Sequence, residues 1–255
     1  MTMKNRLDVY ALPELAPELP PDGASVAIDV LRATTTIATA LASGAEKVVP
    51  FRTVDETFAA KKAILESRPD AEGRILLGGE RKGLPIDGFD LGNSPDLYDE
   101  ATVRGKTLLF TTTNGTKAIL RCRGVVLTAA FVNAAAVVDR LLRDGFSQIS
   151  LVCAGTDGQY TEEDLLLAGL LADRLTLAET GFALNVQAEV AREHWRQTRS
   201  TPLVESLLAS RGGQNLKRIR LAKDVADAAQ VDSLDVVPEY RVGEIRLDAA
   251  FKAGK

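Results

Sequence analysis

The chain has 255 residues, a formal net charge of −4, and 45% hydrophobic and 26% charged side chains. No apolar run approaches the roughly 18 residues of a membrane span, and the acidic balance argues against a general nucleic-acid binder, which gathers a basic face. Cys122 and Cys153 are too few for a disulfide scaffold or a zinc site and read as free thiols; Met1 to Arg6 leads into no signal-peptide core, so a cytoplasmic location is expected.

Val26 to Ile28 reads as a short apolar strand, Thr34 to Ser43 as a helix stopped by Gly44, and Lys47 to Phe51 as the next strand, after which Thr53 caps a helix to about Ser67. The same order returns with Leu108 to Phe110, a helix Thr116 to Arg123 stopped by Gly124, a strand Val125 to Leu127, and Asn133 capping another helix. Superposing the two segments places Asp29 on Thr111, Arg32 on Asn114, Thr34 on Thr116, Gly44 on Gly124, Phe51 on Phe131 and Thr53 on Asn133, with one two-residue gap. The pattern predicts duplicated strand-loop-helix units, about 25–67 and 107–143.

A third unit follows: Gln148 to Val152 as strand, Cys153 to Gly158 as loop, and a helix from near Thr161, where Thr161-Glu162-Glu163-Asp164 resembles a capping box. Helices are then predicted over Glu163 to Thr180, Asn185 to Gln197, Thr201 to Ser210 and Ala222 to Gln230. Val236 to Arg241 reads as a last strand, placed at a sheet edge because Pro238 withholds an amide. With no linker in view, 1–255 reads as a single domain. Its class is α/β, three-layer α/β/α, with a largely parallel or mixed sheet.

In such sheets ligands collect where loops leave the carboxyl ends of strands. Three loops lie there and each opens a helix: Asp29 to Thr36, Thr111 to Thr116, and Cys153 to Gly155. Amides at helix starts and threonine hydroxyls suit phosphate or sulfonate oxygens, and the same residues suit well-capped turns. Asp29 beside Arg32 suits magnesium binding or attack on phosphorus, with a capping or ion-paired aspartate as the rival role. Between the first two loops, Gly79 to Pro95 mixes Glu80, Arg81, Lys82, Asp87, Asp90, Asn93 and Ser94 with glycines and has no regular periodicity, so it reads as a loop shaped around something polar. Glu80 and Asp90 could complete a metal site, and Glu163 or Asp164 could contribute from the third loop. The basic run Lys217 to Arg220 reads as a solvated helix face, with an anion-binding role as the less favoured alternative.

Several mechanisms lose support. His194, the only histidine, sits in a helical pattern rather than a loop. Leu31 stands where aspartate phosphatases of the haloacid dehalogenase type carry a second aspartate, Cys153 has Gln159 rather than arginine six places on, and no P-loop run is present.

Taken together, the segments Asp29 to Thr36, Gly79 to Arg81, Gly88 to Pro95, Thr111 to Thr116, and Cys153 to Gly155 with Glu163-Asp164 resemble the 2-phosphosulfolactate phosphatase family, over about Val26 to Tyr240. The resemblance implies a magnesium-dependent phosphatase converting 2-phospho-3-sulfolactate to 3-sulfolactate and phosphate, a step toward coenzyme M in methanogens. Asp29, Arg32, Glu80 and Asp90 are then expected as catalytic residues, and Asp29, Glu80, Asp90 and Asp164 as metal ligands. Arg81, Asn93, Ser94, Thr112, Thr113, Asn114, Gly115, Thr116, Cys153 and Gly155 are expected to bind substrate. The expected partner is a small anionic phosphorylated substrate, not nucleic acid or membrane, with a homodimer left open. The alternatives are a phosphatase for another small phosphorylated hydroxy acid and a non-catalytic binder of anionic metabolites.

Overall fold

The computed structural model describes residues 5–179 and 181–247. The first predicted unit forms β2 (Ala24–Ile28), α1 (Ala33–Ala42), β3 (Lys47–Phe51) and α2 (Val54–Ser67), preceded by β1 (Arg6–Tyr10). The second forms β5 (Thr107–Thr111), α4 (Gly115–Arg121), β6 (Val125–Ala129) and α5 (Ala134–Asp144), after β4 (Ile75–Gly79) and the single turn α3 (Glu100–Val103). Then come β7 (Gln148–Cys153), α6 (Glu162–Ala178), β8 (Ala183–Leu184), α7 (Val186–Thr198), α8 (Leu203–Ala209), α9 (Arg211–Arg218), α10 (Ala222–Ala228), β9 (Pro238–Arg241) and β10 (Glu244–Leu247). Thr180, the expected end of the long helix, lies outside the described residues.

All the described strands join one mixed sheet in the order β4-β5-β3-β10-β9-β6-β2-β7-β1-β8. Each of these two segments gives one strand to the other: β2 pairs in parallel with β6, and β3 with β5. The antiparallel hairpin β9–β10 joins the two parallel arms, so three antiparallel pairings separate β2 from β5. These strands therefore run in opposite senses, contrary to the expectation that their loops leave one edge of the sheet. Five pairings separate them in the strand order, and twist of 20–25° per pairing accumulates to roughly 100–125°, which swings the two loops toward each other.

Strand alternation sorts side chains into layers. Ala27, Val126, Val152 and Phe110 pack on one face against Ala33, Ile37 and Leu41 of α1 and Ile119 of α4. Val26, Ile28, Leu127 and Leu151 pack on the other against α5, α6 and α7, and Leu77 and Leu109 pack on that side against α2. β2 is buried along its whole length, as a central strand covered on both faces must be.

Three local expectations change. Asn133 precedes α5 without a side-chain cap bond, its Oδ1 accepting instead from the Ala130 amide. β9 lies inside the sheet, between β6 and β10, because Pro238 occupies its first position and the ladder to β6 uses Glu239 and Tyr240, which keep their amides. The capping box at Thr161 does not form: Thr161 precedes α6 without a side-chain cap bond, and Asp164 turns back toward the β2 and β7 loops. At Thr53 the box does form, with Glu56 reaching back to the Thr53 amide.

Candidate active site

α1 and α4 pack on one face of the sheet with their first residues touching. A Cβ on Gly115 would stand 2.4 Å from the Ala33 Cβ and 2.6 Å from Asp29 Oδ2. Only a residue without a side chain lets the two helix starts meet with the Asp29 carboxylate between them.

Asp29 follows β2 directly and is fixed on several sides. Its amide donates to Thr34 Oγ1 (3.1 Å), its carbonyl accepts from the Thr34 hydroxyl (2.8 Å), and its Oδ1 accepts from the Ala33 amide (3.2 Å). Thr112 and Thr116 repeat the backbone part of this lock, since the Thr116 hydroxyl donates to the Thr112 carbonyl at 3.2 Å. The structural counterpart of Asp29 is thus Thr112, the first residue after β5, and the second loop is one residue shorter than the superposed sequences imply.

Asp29 Oδ2 accepts no hydrogen bond among the described residues. It faces a cleft of about 310 Å³ whose walls come from Leu31 and Arg32, Glu80, Lys82 and Gly83, Asn93, Thr113 and Asn114, Thr156 and Asp157, and α9. Burial above all, and then the nearby Glu80 and Glu163 charges, push the Asp29 carboxyl up to about 7, against the Ala33 amide and Arg32, which favour the charged form. Behind the wall stand two more buried carboxylates. Glu163 is raised by burial, and its Oε2 has no hydrogen-bond partner among the described residues; Gly212 makes room for it, since a Cβ there would stand 2.1 Å from Glu163 Oε1. Asp164 is raised by burial and then by the Asp29 and Glu163 charges.

Other expected residues hold the cleft in shape. Glu80 Oε1 accepts from the Thr113 amide (2.7 Å), and its Oε2 accepts from the Gly83 amide (2.6 Å) and the Thr113 hydroxyl (3.1 Å). Asp164 accepts from the amides of Val30 (2.9 Å) and Gly155 (3.0 Å), stitching the first loop to the third. Arg32 is buried: Nη1 donates to Asp224 Oδ2 (2.6 Å) and Ser94 Oγ (3.2 Å), and Nη2 donates to the Gly83 carbonyl (2.7 Å). That contact ties α10 to the site. The Asn93 carbonyl accepts from the Thr36 hydroxyl, while its buried Oδ1 has no partner and its side chain reaches the cleft.

Three expected residues lie elsewhere. Arg81 turns its guanidinium to Thr111 Oγ1 (2.7 Å) and the carbonyls of Glu80 and Arg52. Asp90 is exposed on the free side of β4, where Oδ2 accepts from the Leu77 amide (2.7 Å) and Lys61 (3.0 Å). The Gly88–Gly92 stretch runs along that edge strand and covers it, the usual protection for unpaired backbone. The Cys153 side chain is fully buried, packed in the core at the end of β7 with its thiol pushed well up by burial. Glu80 and Asp164 therefore spend both carboxylate oxygens on other donors, and Asp90 spends Oδ2 at the edge of β4. Among the described residues no three His, Cys, Asp or Glu side chains form a metal-holding group.

Lys217, Arg218 and Arg220 are exposed, as a solvated face requires, and the run also borders the cleft through Arg218 and Ile219. α9 closes one side of the cleft with Asn215, Leu216 and Arg218. The signal available in the sequence was Gly212-Gly213 just ahead of the run, a pair of small residues that let a helix approach Glu163 and α8 closely.

A family model described as 2-phosphosulpholactate phosphatase matches residues 10–243. The chain belongs to that family. A protein of Symbiobacterium thermophilum named as a probable 2-phosphosulfolactate phosphatase is 41% identical over 225 residues, 88% of this chain and 93% of its own length. One of the same name from Carboxydothermus hydrogenoformans is 41% identical over 244 residues, covering 95% and 96%. Another from Synechococcus sp. WH7803 is 44% identical over 218 residues, covering 84% and 85%. The family match thus spans all three loops and α9, and so the whole of the cleft. No helix among the described residues is long and apolar enough to cross a membrane.

Proposed function

We propose that this chain hydrolyses 2-phospho-3-sulfolactate to 3-sulfolactate and phosphate, with magnesium as cofactor. The observation that carries the reading is Asp29: a residue held by four hydrogen bonds within its own loop, one of them to its carboxylate, with the other carboxylate oxygen left open to a cleft large enough for a small phosphorylated acid. The names of the relatives supply the substrate.

The donor set fits a hard divalent cation. Asp29 Oδ2 and Glu163 Oε2 are carboxylate oxygens that accept from no donor among the described residues, in a group of three buried carboxylates whose pKa values burial raises. Magnesium is commonly held by one or two carboxylates with the remaining positions left to water and phosphate oxygens, so a three-residue cluster is not required. Asp29 and Glu163 would hold it. When bound, the cation offsets charge on the phosphoryl oxygens and organises the attacking and leaving oxygens.

The remaining work falls to the chain. The amides of Asn114 and Gly115, at the start of α4, donate to no group among the described residues and suit a phosphoryl oxygen. Glu80 fixes the Thr113 backbone just before them, so these donors are set in place before the substrate arrives. Asp164 holds the Val30 amide and thereby the Asp29 loop. Arg32, matched to Asp224, keeps α10 against the cleft and lends long-range positive charge rather than a free fork of donors.

The test is phosphate release from synthetic 2-phosphosulfolactate by protein stripped of metal, verified by elemental analysis, with and without added magnesium. Release that appears only with the cation is expected. Full activity of the stripped protein would remove magnesium from the reading, and absence of release under both conditions would remove the substrate.

A further inference from the structure

Two cations on the cleft wall have no carboxylate partner among the described residues. Lys82 is exposed, with its side chain bonded to nothing described. Arg218 donates only to Asn215 Oδ1, at 3.0 Å, within its own helix. The third wall cation, Arg32, is consumed by Asp224. Just outside the wall, Arg81 is tied to Thr111, and Arg211 to Gln159 and Asp157.

The two cations come from segments far apart in sequence but line the same cleft. A Cβ on Gly83 would lie 3.2 Å from the Ile219 side chain, so the residues next to Lys82 and Arg218 are in contact across the cleft mouth. Both supports are rigid. Lys82 adopts φ +53°, a conformation strained for a non-glycine residue, and it persists because its own amide donates to Thr113 Oγ1 while both backbone groups of Gly83 are bonded, to Glu80 and Arg32. α9 is capped by Ser210, whose hydroxyl accepts from the Gly213 amide.

The cleft is therefore polarised, with carboxylates at its base and unpaired cations at its mouth. A phosphoryl group paired with a cation suits the base. Further anionic groups on the alcohol would be repelled there and attracted to the mouth. We propose that Lys82 and Arg218 together hold the non-transferred anionic groups of the substrate and so determine specificity. The enzyme would then select monoesters of small alcohols that carry additional carboxylate or sulfonate groups. A lysine point charge with an arginine fork accommodates two such groups without requiring either to be planar. The inference deepens the phosphatase reading and rests on it.

The test compares 2-phosphosulfolactate with glycerol 2-phosphate, which places phosphate on the same central carbon between two uncharged arms. Lys82→Met and Arg218→Met are assayed on both, and calorimetry measures 3-sulfolactate binding. Each variant should lose at least about tenfold in kcat/KM on the sulfonated substrate, mainly through KM, and its preference over glycerol 2-phosphate should fall by a similar factor. Sulfolactate binding should weaken at least about tenfold. Equal losses on both substrates, or no loss, would overturn the proposal while leaving the phosphatase reading intact. If the wild-type enzyme releases phosphate from neither substrate, the phosphatase reading fails, and calorimetry alone decides: weaker sulfolactate binding in the variants keeps the anion pair, and unchanged binding removes it.

Discussion

Asp29→Asn separates what the site does for function from what it does to stability. The carboxyl is raised from 3.8 to about 7 in the fold, chiefly by burial. An acid with a raised folded pKa binds more protons folded than unfolded between these values, so stability falls as pH rises from about 4 to about 7, with no penalty below and a constant one above. Three pKa units correspond to about 4 kcal/mol; the open cleft side and the proton sharing among three carboxylates reduce this to about 1–3 kcal/mol. Asparagine keeps the acceptor for the Ala33 amide and removes the charge. In metal-free protein at pH 8 the variant should therefore be more stable than wild type by about 1–3 kcal/mol, or about 3–10 °C in Tm for a chain of this size, while its phosphatase activity drops by about a hundredfold or more. At pH 4 the two proteins should unfold alike. Urea titrations at both pH values in the presence of a chelator measure the difference. A variant less stable than wild type at pH 8, or a gap that is the same at both pH values, would refute the argument that Asp29 carries an uncompensated buried charge.

Glu163→Gln should likewise stabilise the metal-free protein at pH 8 and raise the magnesium concentration for half-maximal activity by about tenfold or more, read from metal titration of phosphate release. Arg32→Met should destabilise the protein by about 3–5 kcal/mol in urea unfolding, because Asp224 is left charged and buried; Arg32→Met with Asp224→Leu should recover part of the loss. Gly115→Ala should lower kcat/KM by about tenfold or more, since its methyl would stand 2.6 Å from Asp29 Oδ2 and force the carboxylate or α4 to move. Asp90→Asn should keep kcat/KM within about twofold and cost about 1 kcal/mol or less in unfolding, as an exposed pair with Lys61 contributes little.

The sequence was most legible where one short segment carries its own signal. Strand-glycine-strand spacing, the Thr53–Glu56 box and the hydroxyl-rich turns after β2 and β5 depend on neighbours a few residues away, and those elements form close to where the pattern predicts them. Asp29 was identifiable for the same reason: an acidic residue between a buried strand and a helix start has few places to go. Charge partners could not be read, because they are chosen in three dimensions. Arg32 and Asp224 are 192 positions apart, and nothing local marks either as the other's counterion. Asp90 and Asp29 look alike in sequence, yet one caps the exposed edge of β4 and the other stands at the base of the cleft. Pro238 gave a correct local rule and a misleading location, since a missing amide says where a ladder begins and not which strands lie on either side. By itself the chain determined its alternating elements, its glycine stops and the loop that carries Asp29, all set by propensity and capping over short distances. The tertiary structure alone decided the exchange of strands between the 24–67 and 107–144 segments, the burial that raises Asp29 and Glu163, and the arrival of α9 with Arg218 at the cleft mouth. Those depend on sheet pairing and on the removal of water from charges brought together by the whole fold.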